Sequence, residues 1–369
     1  MQSALELIIN KIMTFSLDIL IRENIKKLIP YSSARDEFKG EAKIFLDANE
    51  NSFGSPLPKS LSAGQAGFNR YPDPRQLQLK EKLSSIKGLP IANTFLGNGS
   101  DECIDILIRS FCEPGIDNII ICPPTYGMYS VCADINNVKI KKISLTPDFQ
   151  LDLAAIENGI DGNTKMLFLC SPNNPTGNSL NPADIEVLLN NYFGLVVIDE
   201  AYINFSRQKS FTTELKDYPN LVIMQTLSKA WGLAALRIGI TFASEEIIYI
   251  MNKIKPPYNI SQASQELVLQ ALEETVQVNN MIREIVAERE LLEKALQTLP
   301  VIKKIFPSDA NFLLVRVDNP EIIYKYLLGK GIVVRDRSKS ENCEGCLRIT
   351  VGTHSENKAL LNALKDFVA

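Results

Sequence analysis

Five short, almost uninterrupted apolar runs constrain the fold of this 369-residue chain more than any other feature of its sequence. Each is followed by a turn-rich or helix-like segment; the runs occupy residues 118–122, 165–170, 195–199, 221–225 and 238–242. Strands that are apolar on both faces are usually buried on both faces, and helical connections between them favour parallel pairing. The sequence therefore predicts an α/β fold with a mostly parallel sheet flanked by helices, which binds ligands beyond the carboxyl ends of its strands.

The character of the sequence changes after Met251. Residues 256–260 form a proline-rich segment typical of a hinge, and residues 261–298 are predicted to form one long amphipathic helix. Strand-like runs at residues 311–316 and 347–351 then alternate with shorter helices. We therefore predict a large domain over residues 46–255 and a smaller α+β domain over residues 256–369. Residues 1–45 are predicted to form an N-terminal arm that packs with the small domain, with a helix over residues 16–28.

Composition argues against several classes of function. The chain has one histidine, His354, whereas Ser-His-Asp triads and most zinc sites rely on imidazole, so no metal is expected. A net charge of −4 gives no general attraction to nucleic acid or to anionic membranes, and neither is expected as a partner. Any anionic ligand must therefore be held by local basic groups.

Cysteine usage and the first residues indicate the compartment. Seven cysteines without the spacing of a small disulfide scaffold are typical of reduced thiols in a cytoplasmic protein. Cys343 and Cys346 have the spacing of a redox pair or half a zinc site, but no second such pair accompanies them. Neither a signal peptide nor a membrane span is indicated near the start of the sequence.

A lysine, Lys229, follows the fourth apolar run in the stretch Thr-Leu-Ser-Lys, and Arg237 comes shortly after it. Lysine forms Schiff bases with carbonyl cofactors, and arginine binds phosphate through its planar guanidinium group. Pyridoxal phosphate carries both an aldehyde and a phosphate, so the stretch suits this cofactor. An ordinary strand end with a surface lysine and arginine is the alternative, because short motifs also match by chance.

Other polar clusters lie where a strand or a helix is predicted to end or begin. Gly99 and Ser100 precede a helical pattern, whose free N–H groups bind an anion unless Ser100 is a simple cap. Asn174, in Ser-Pro-Asn-Asn-Pro-Thr-Gly, either offers an amide to a ligand or forms a turn. Asp199 ends the third run, where a buried carboxylate needs a partner such as a protonated pyridine nitrogen, or else caps a turn. Tyr71, in a loop stiffened by two prolines, either packs or presents its hydroxyl to a ligand.

Together these stretches resemble the fold-type-I pyridoxal-phosphate enzymes of the aspartate aminotransferase superfamily, and within it the histidinol-phosphate aminotransferases. The resemblance covers the chain from about Leu20 to its end. It rests on residues 171–177, 199–202 and 226–229 and on Arg237, in that order. The narrower family is indicated by five further segments, at residues 30–35, 46–50, 70–74, 122–129 and 346–352.

The resemblance implies a role for each matching residue. Lys229 would bond to the cofactor and carry the substrate proton, Asp199 would hold the pyridine nitrogen, and Tyr202 would contact the ring hydroxyl together with Asn174. The groups that would hold the phosphate or cover the ring are Gly99, Ser100, Asp101, Ser228, Arg237 and Tyr126. The substrate would be bound by Tyr31, Asn49, Arg335 and Arg348. Tyr71 would reach the cofactor phosphate of a neighbouring subunit, which implies a homodimer.

The reaction implied is transfer of an amino group from L-histidinol phosphate to 2-oxoglutarate, giving imidazole-acetol phosphate and L-glutamate in histidine biosynthesis. An aromatic-amino-acid aminotransferase or a threonine-phosphate decarboxylase would keep the same cofactor residues and is the nearest alternative. A cofactor-sensing regulator would need a DNA-binding extension, and the residues before Leu46 have no such pattern. A Ser-Lys hydrolase is disfavoured because Thr226 stands where its motif needs serine.

Overall fold

Two β-sheets organise the computed structural model, which describes residues 15–29 and 68–368. The larger sheet has strand order β1-β7-β6-β5-β4-β2-β3. Its strands are β1 Thr94–Asn98, β2 Asn118–Ile121, β3 Lys139–Lys142, β4 Thr164–Cys170, β5 Leu195–Asp199, β6 Leu221–Thr226 and β7 Ile238–Phe242. Strands β2 to β6 pair in parallel, and β7 is antiparallel to both of its neighbours, β6 and β1. The predicted α/β fold with a mostly parallel sheet is confirmed.

All five predicted apolar runs are strands of this sheet, and both strands that the pattern misses, β1 and β3, lie at its edges. Strand β3 has the sequence Lys-Ile-Lys-Lys and is half exposed, so it lacks the apolar run of a central strand. Successive residues of the central strands enter opposite cores. Leu167 and Leu169 belong to one hydrophobic cluster, whereas Met166 and Phe168 belong to the other.

The smaller sheet is antiparallel, with strand order β10-β11-β9-β8. Its strands are β8 Ile302–Ile305, β9 Phe312–Val317, β10 Arg335–Asp336 and β11 Cys346–Thr350. One face packs on the helices Pro320–Gly329 and His354–Val368 through a separate cluster that includes Leu313, Leu347 and Leu364. A second, α+β arrangement thus follows the large sheet along the chain, while the exact domain boundaries stay a prediction.

The described part of the chain contains twelve α-helices. They are α1 Leu17–Leu20, α2 Glu23–Lys27, α3 Leu77–Lys87, α4 Ser100–Phe111, α5 Met128–Ile135, α6 Leu153–Gly159, α7 Pro182–Asn191, α8 Glu245–Ile254, α9 Gln262–Ala271, α10 Thr275–Gln297, α11 Pro320–Gly329 and α12 His354–Val368. No helix within residues 15–29 and 68–368 is long and apolar enough to cross a membrane.

The single helix predicted over residues 261–298 is wrong, because the chain breaks between α9 and α10. Val268 of α9 and the adjoining Leu272 pack into a core of the large sheet. Leu292 and Leu296 of α10 pack instead against the small sheet. The break therefore lets each of the two helices bury its apolar side against a different core.

The N-terminal segment also differs from its prediction, since residues 16–28 form two short helices. Arg22 lies between them, and its side chain donates to Arg109 O at 2.9 Å and pairs with Glu113 at 3.3 Å. Leu20 and Ile25 are buried in a core of the large sheet. The described part of the arm therefore packs with the large sheet, whereas the sequence predicts packing with the small domain. Residues 30–45 of the predicted arm lie outside the described residues.

Candidate active site

The carboxyl ends of β1, β4, β5 and β6 meet at one edge of the large sheet, because β7 is antiparallel to both β1 and β6. A cavity of about 400 Å³ opens there, facing the small sheet. It is lined by Ser100, Asp101, Tyr126, Cys170, Asn174, Asp199, Ala201, Tyr202, Thr226, Ser228, Lys229, Arg237, Arg335, Arg337 and Arg348. A larger cleft of about 720 Å³, between α3 and α8, holds none of the described site residues.

The cavity brings together nearly all of the described residues that the sequence singled out. Gly99 lies directly beside it, under the guanidinium group of Arg237. Tyr71 does not line the cavity; it is 53% exposed and stacks on Tyr258, with ring centroids 4.5 Å apart. Tyr31 and Asn49, predicted to bind substrate, lie outside the described residues.

One end of the cavity suits a phosphate group. Gly99 has φ +81°, and a side chain there would collide with Arg237. Helix α4 begins at the next residue, so its free N–H groups point toward the cavity. Gly239 of β7 has no side chain either, which lets this turn lie against the strand; a Cβ would meet Ser100 N at 2.5 Å. Arg237 pairs loosely with Asp101 at 3.7 Å, so a guanidinium group and a helix N-terminus converge on one place.

Asp199 is the last residue of β5 and is 3% exposed. Its carboxylate accepts hydrogen bonds from the Tyr129 hydroxyl at 2.7 Å and from the Ala201 N–H at 3.1 Å. Burial raises the pKa of Asp199, and the Tyr129 hydrogen bond opposes that rise. A buried carboxylate that two hydrogen-bond donors keep in place is suited to a cationic partner in the cavity, such as a protonated pyridine nitrogen.

Tyr129 is a site residue that the sequence reasoning missed. It is fully buried, and its ring stacks on Phe168 with centroids 4.9 Å apart. Tyr129 is part of the segment 122–129 that indicates the narrower family, but nothing in that segment shows which group its hydroxyl contacts. Tyr126 donates its own hydroxyl to Asp101 at 3.0 Å. The two tyrosines therefore each fix one carboxylate of the cavity.

Tyr129→Phe is expected to weaken cofactor affinity by about tenfold, because one charge-assisted hydrogen bond to Asp199 is lost. Titration of the cofactor-free protein, followed by absorbance, measures this change. Tyr192→Phe is the matched control, because Tyr192 is also buried and donates to Thr164 O at 2.9 Å, far from the cavity. The control should lose stability and keep its cofactor affinity, whereas equal affinities for all three proteins would contradict the role of Tyr129.

A hydrogen-bonded chain links the two sheets across the cavity. Arg348 donates to the Asn174 side-chain oxygen at 2.5 Å, and the Asn174 amide donates to the Tyr202 hydroxyl at 3.3 Å. The guanidinium group of Arg348 also lies over the Phe312 ring, 5.2 Å from its centroid. Arg348 lies in β11, which has a neighbouring strand on each side, and its side chain faces the same space as Asn174 and Tyr202.

Lys229 stands in the cavity with its amine 5.6 Å from the centre of the Tyr202 ring. Burial, and then the positive charge of Arg348, lower the pKa of Lys229, while Asp199 opposes the change. The amine therefore loses its proton more readily than an ordinary surface lysine does. An amine of this kind can act as a nucleophile toward an aldehyde and as a base.

In the described part of the chain, no group of three or more His, Cys, Asp or Glu side chains could hold a metal ion. Cys343 and Cys346 are both buried free thiols. Burial raises the pKa of Cys343 to about 12, which suits a packed thiol and not a reactive one. These cysteines belong to a hydrophobic core that the small sheet shares with the large one.

Comparison with known proteins shows the family to which this chain belongs. The family model "Aminotransferase class I and II" matches residues 41–364. The histidinol-phosphate aminotransferase of Parabacteroides distasonis is 52% identical, and the matched region covers 94% of this chain and 97% of the length of that enzyme. Among solved structures, the histidinol-phosphate aminotransferase from Clostridium acetobutylicum has a TM-score of 0.75 at 26% identity, covering 81% of this chain and 91% of its own.

A second solved structure shares the fold at lower identity. The histidinol-phosphate aminotransferase from Sinorhizobium meliloti, in complex with pyridoxal-5'-phosphate, has a TM-score of 0.75 at 23% identity and covers 87% of this chain and 89% of its own. The cavity described above has the groups that this cofactor needs: an amine, a buried carboxylate and a phosphate-binding helix terminus. The chain belongs to the class I and II aminotransferases, pyridoxal-phosphate enzymes, and among them to the histidinol-phosphate aminotransferases.

Proposed function

We propose that this chain transfers the amino group of L-histidinol phosphate to 2-oxoglutarate, giving imidazole-acetol phosphate and L-glutamate in histidine biosynthesis. One observation carries the proposal: arginines stand at two separate places around Lys229. Arg237 lies beside the start of α4, whereas Arg335 and Arg348 lie on the small sheet. The cavity can therefore hold the cofactor phosphate and the anionic group of a substrate at the same time.

Pyridoxal phosphate, when bound, supplies an electron-withdrawing ring that stabilises negative charge at the substrate carbon. Asp199 would keep a positive charge on the ring nitrogen, because its carboxylate is buried and accepts hydrogen bonds from neutral donors only, without forming an ion pair with the described residues. The Tyr202 hydroxyl and the Asn174 amide would orient the ring. The Lys229 amine would take the proton from the substrate carbon and pass it to the cofactor carbon, and its lowered pKa favours the unprotonated state that this needs.

Comparing two amino donors tests the proposal against the nearest alternatives. With histidinol phosphate, kcat/KM should exceed that with phenylalanine by roughly a hundredfold, because phenylalanine lacks the phosphate and its charge-assisted hydrogen bonds. Release of carbon dioxide from threonine phosphate is measured as well, because a decarboxylase would produce it. Faster reaction of phenylalanine would favour an aromatic aminotransferase, and carbon dioxide release at a comparable rate would favour a decarboxylase.

We also propose that the active form is a homodimer in which Tyr71 reaches the neighbouring active site. The support is that Tyr71 lies outside the cavity of its own subunit and is half exposed. Mixing two inactive variants, Tyr71→Ala and Lys229→Ala, tests the arrangement after subunits exchange. A hybrid dimer would have one complete site and one site that lacks both residues. Activity should therefore return at one of the two sites of each hybrid dimer. Activity that stays absent while hybrids form would contradict the arrangement.

We infer that the reaction takes place in the cytoplasm. The support is chemical: all seven cysteines are buried and free. Thiols that stay reduced in this number are typical of a reducing compartment.

A further inference from the structure

Three arginines lie on one face of the small sheet, at its edge. Arg335 of β10 is the direct antiparallel partner of Arg348 in β11. Arg337 comes two residues after Arg335, so its side chain lies on the same face, and its N–H continues the pairing by donating to Cys346 O at 2.9 Å. Like charges directly opposite each other destabilise a sheet, so folding stability alone does not explain this arrangement.

Among the residues that the structure describes, no negatively charged side chain pairs with these arginines. Asp336 lies between two of them on the opposite face of the strand, and its carboxylate accepts hydrogen bonds from the Ser338 N–H and hydroxyl. Within residues 15–29 and 68–368, neither Arg335 nor Arg337 forms an ion pair. Arg348 donates to the neutral side chain of Asn174.

Arg337 stands out among the three because part of its guanidinium group is already desolvated. Its Nε is buried and has no hydrogen-bond partner in the described part of the chain. Burial, followed by the positive charges of Arg348 and Arg335, lowers the pKa of Arg337. An unpaired, buried donor on the wall of a cavity gains more from an anionic ligand than an exposed arginine does.

We propose that Arg337 completes a dianion site with Arg335 and Arg348, and that it selects the phosphate of the amino donor over the carboxylate of glutamate. A phosphate ester carries up to two negative charges and three acceptor oxygens, whereas a carboxylate has one charge and two oxygens. Two arginines can satisfy a carboxylate, and the third acts mainly on phosphate. This inference rests on the proposed function and assigns Arg337 as a specificity-determining residue within it.

Arg337→Gln tests the inference in the amino-donor half-reaction, followed by cofactor absorbance. For histidinol phosphate, kcat/KM should fall by about 30-fold, the effect of one charge-assisted hydrogen bond. For glutamate it should fall by about twofold or less, and for unphosphorylated histidinol it should not change, because neither presents a third anionic oxygen. Arg348→Gln should instead lower the values for both histidinol phosphate and glutamate. Equal losses for these two donors in Arg337→Gln would overturn the assignment.

A second measurement distinguishes failure of this inference from failure of the proposed function. Inorganic phosphate should inhibit the glutamate reaction competitively, and Arg337→Gln should weaken that inhibition by about tenfold or more. Arg316→Gln is the matched control, because Arg316 is also on the small sheet but donates to Glu344 O, away from the cavity. A wild type inactive on histidinol phosphate, with Arg337-dependent phosphate inhibition, would overturn only the proposed function. Phosphate inhibition that is unchanged in Arg337→Gln would overturn only the inference.

Discussion

Lys229→Ala is expected to lower kcat for transamination by about four orders of magnitude or more, since the lysine is both nucleophile and base. No other amine lines the described cavity, so no neighbouring lysine can take over either role. The variant should still fold, because the Lys229 amine of the wild type forms no hydrogen bond or ion pair with the described residues. Cofactor should bind only loosely, through the groups around Gly99 and Arg237.

Lys80→Met is a matched control for this result. Lys80 is also a buried lysine with its pKa lowered, to about 8, but it lines the separate cleft beside α3. Borohydride reduction of the wild type and of the control should attach the cofactor at Lys229 in both. Near-wild-type turnover of Lys229→Ala, or a borohydride-reducible adduct at another lysine, would show that the assignment is wrong.

Asp199→Asn is expected to reduce kcat by about a thousandfold, because it removes a buried charge placed to stabilise the reacting ring. The substitution keeps the shape of the side chain and an oxygen that can accept from Tyr129. Measurement of kcat at saturating cofactor separates this loss from weaker binding. Activity within about tenfold of the wild type would contradict the electrostatic role.

Thermal unfolding of the cofactor-free protein shows whether the loss in Asp199→Asn is functional or structural. Burial raises the pKa of Asp199 above its unfolded value, so the charged carboxylate costs stability once the pH exceeds the unfolded pKa. Asparagine removes that cost at neutral pH, and the melting temperature should not fall. Glu200→Gln is the comparison: Glu200 is buried next to Asp199, but its two oxygens accept from the Ser210 hydroxyl and from the Phe211 and Gln225 N–H groups, and an amide nitrogen cannot accept. Its melting temperature should therefore fall while kcat stays close to that of the wild type.

Much of the fold and most of the site were predictable because the relevant residues are neighbours in sequence. Central strands such as β5 are apolar on both faces, and that pattern leaves few alternatives. Asp199 is the last residue of one such strand and Lys229 lies just beyond the end of the next, so parallel pairing alone brings them to one edge of the sheet. The edge strand β3 was missed because one partner and partial exposure do not require an apolar run.

The features that the sequence did not predict depend on contacts between distant segments. Nothing near Tyr129 in the sequence indicates that its hydroxyl meets Asp199, seventy residues later. The break between α9 and α10 exists because two different cores receive the two helices. The position of Arg337 became informative only when the pairing of β10 with β11 placed three arginines on one face.

The most direct test of the central claim is the absorbance spectrum of the cofactor-loaded protein during stepwise addition of its two substrates. L-histidinol phosphate alone should convert the cofactor band, and 2-oxoglutarate added next should restore it while one equivalent of L-glutamate forms. Lys229→Ala should show neither change. A wild-type band that stays constant with histidinol phosphate but converts with another amino donor would contradict the proposed reaction.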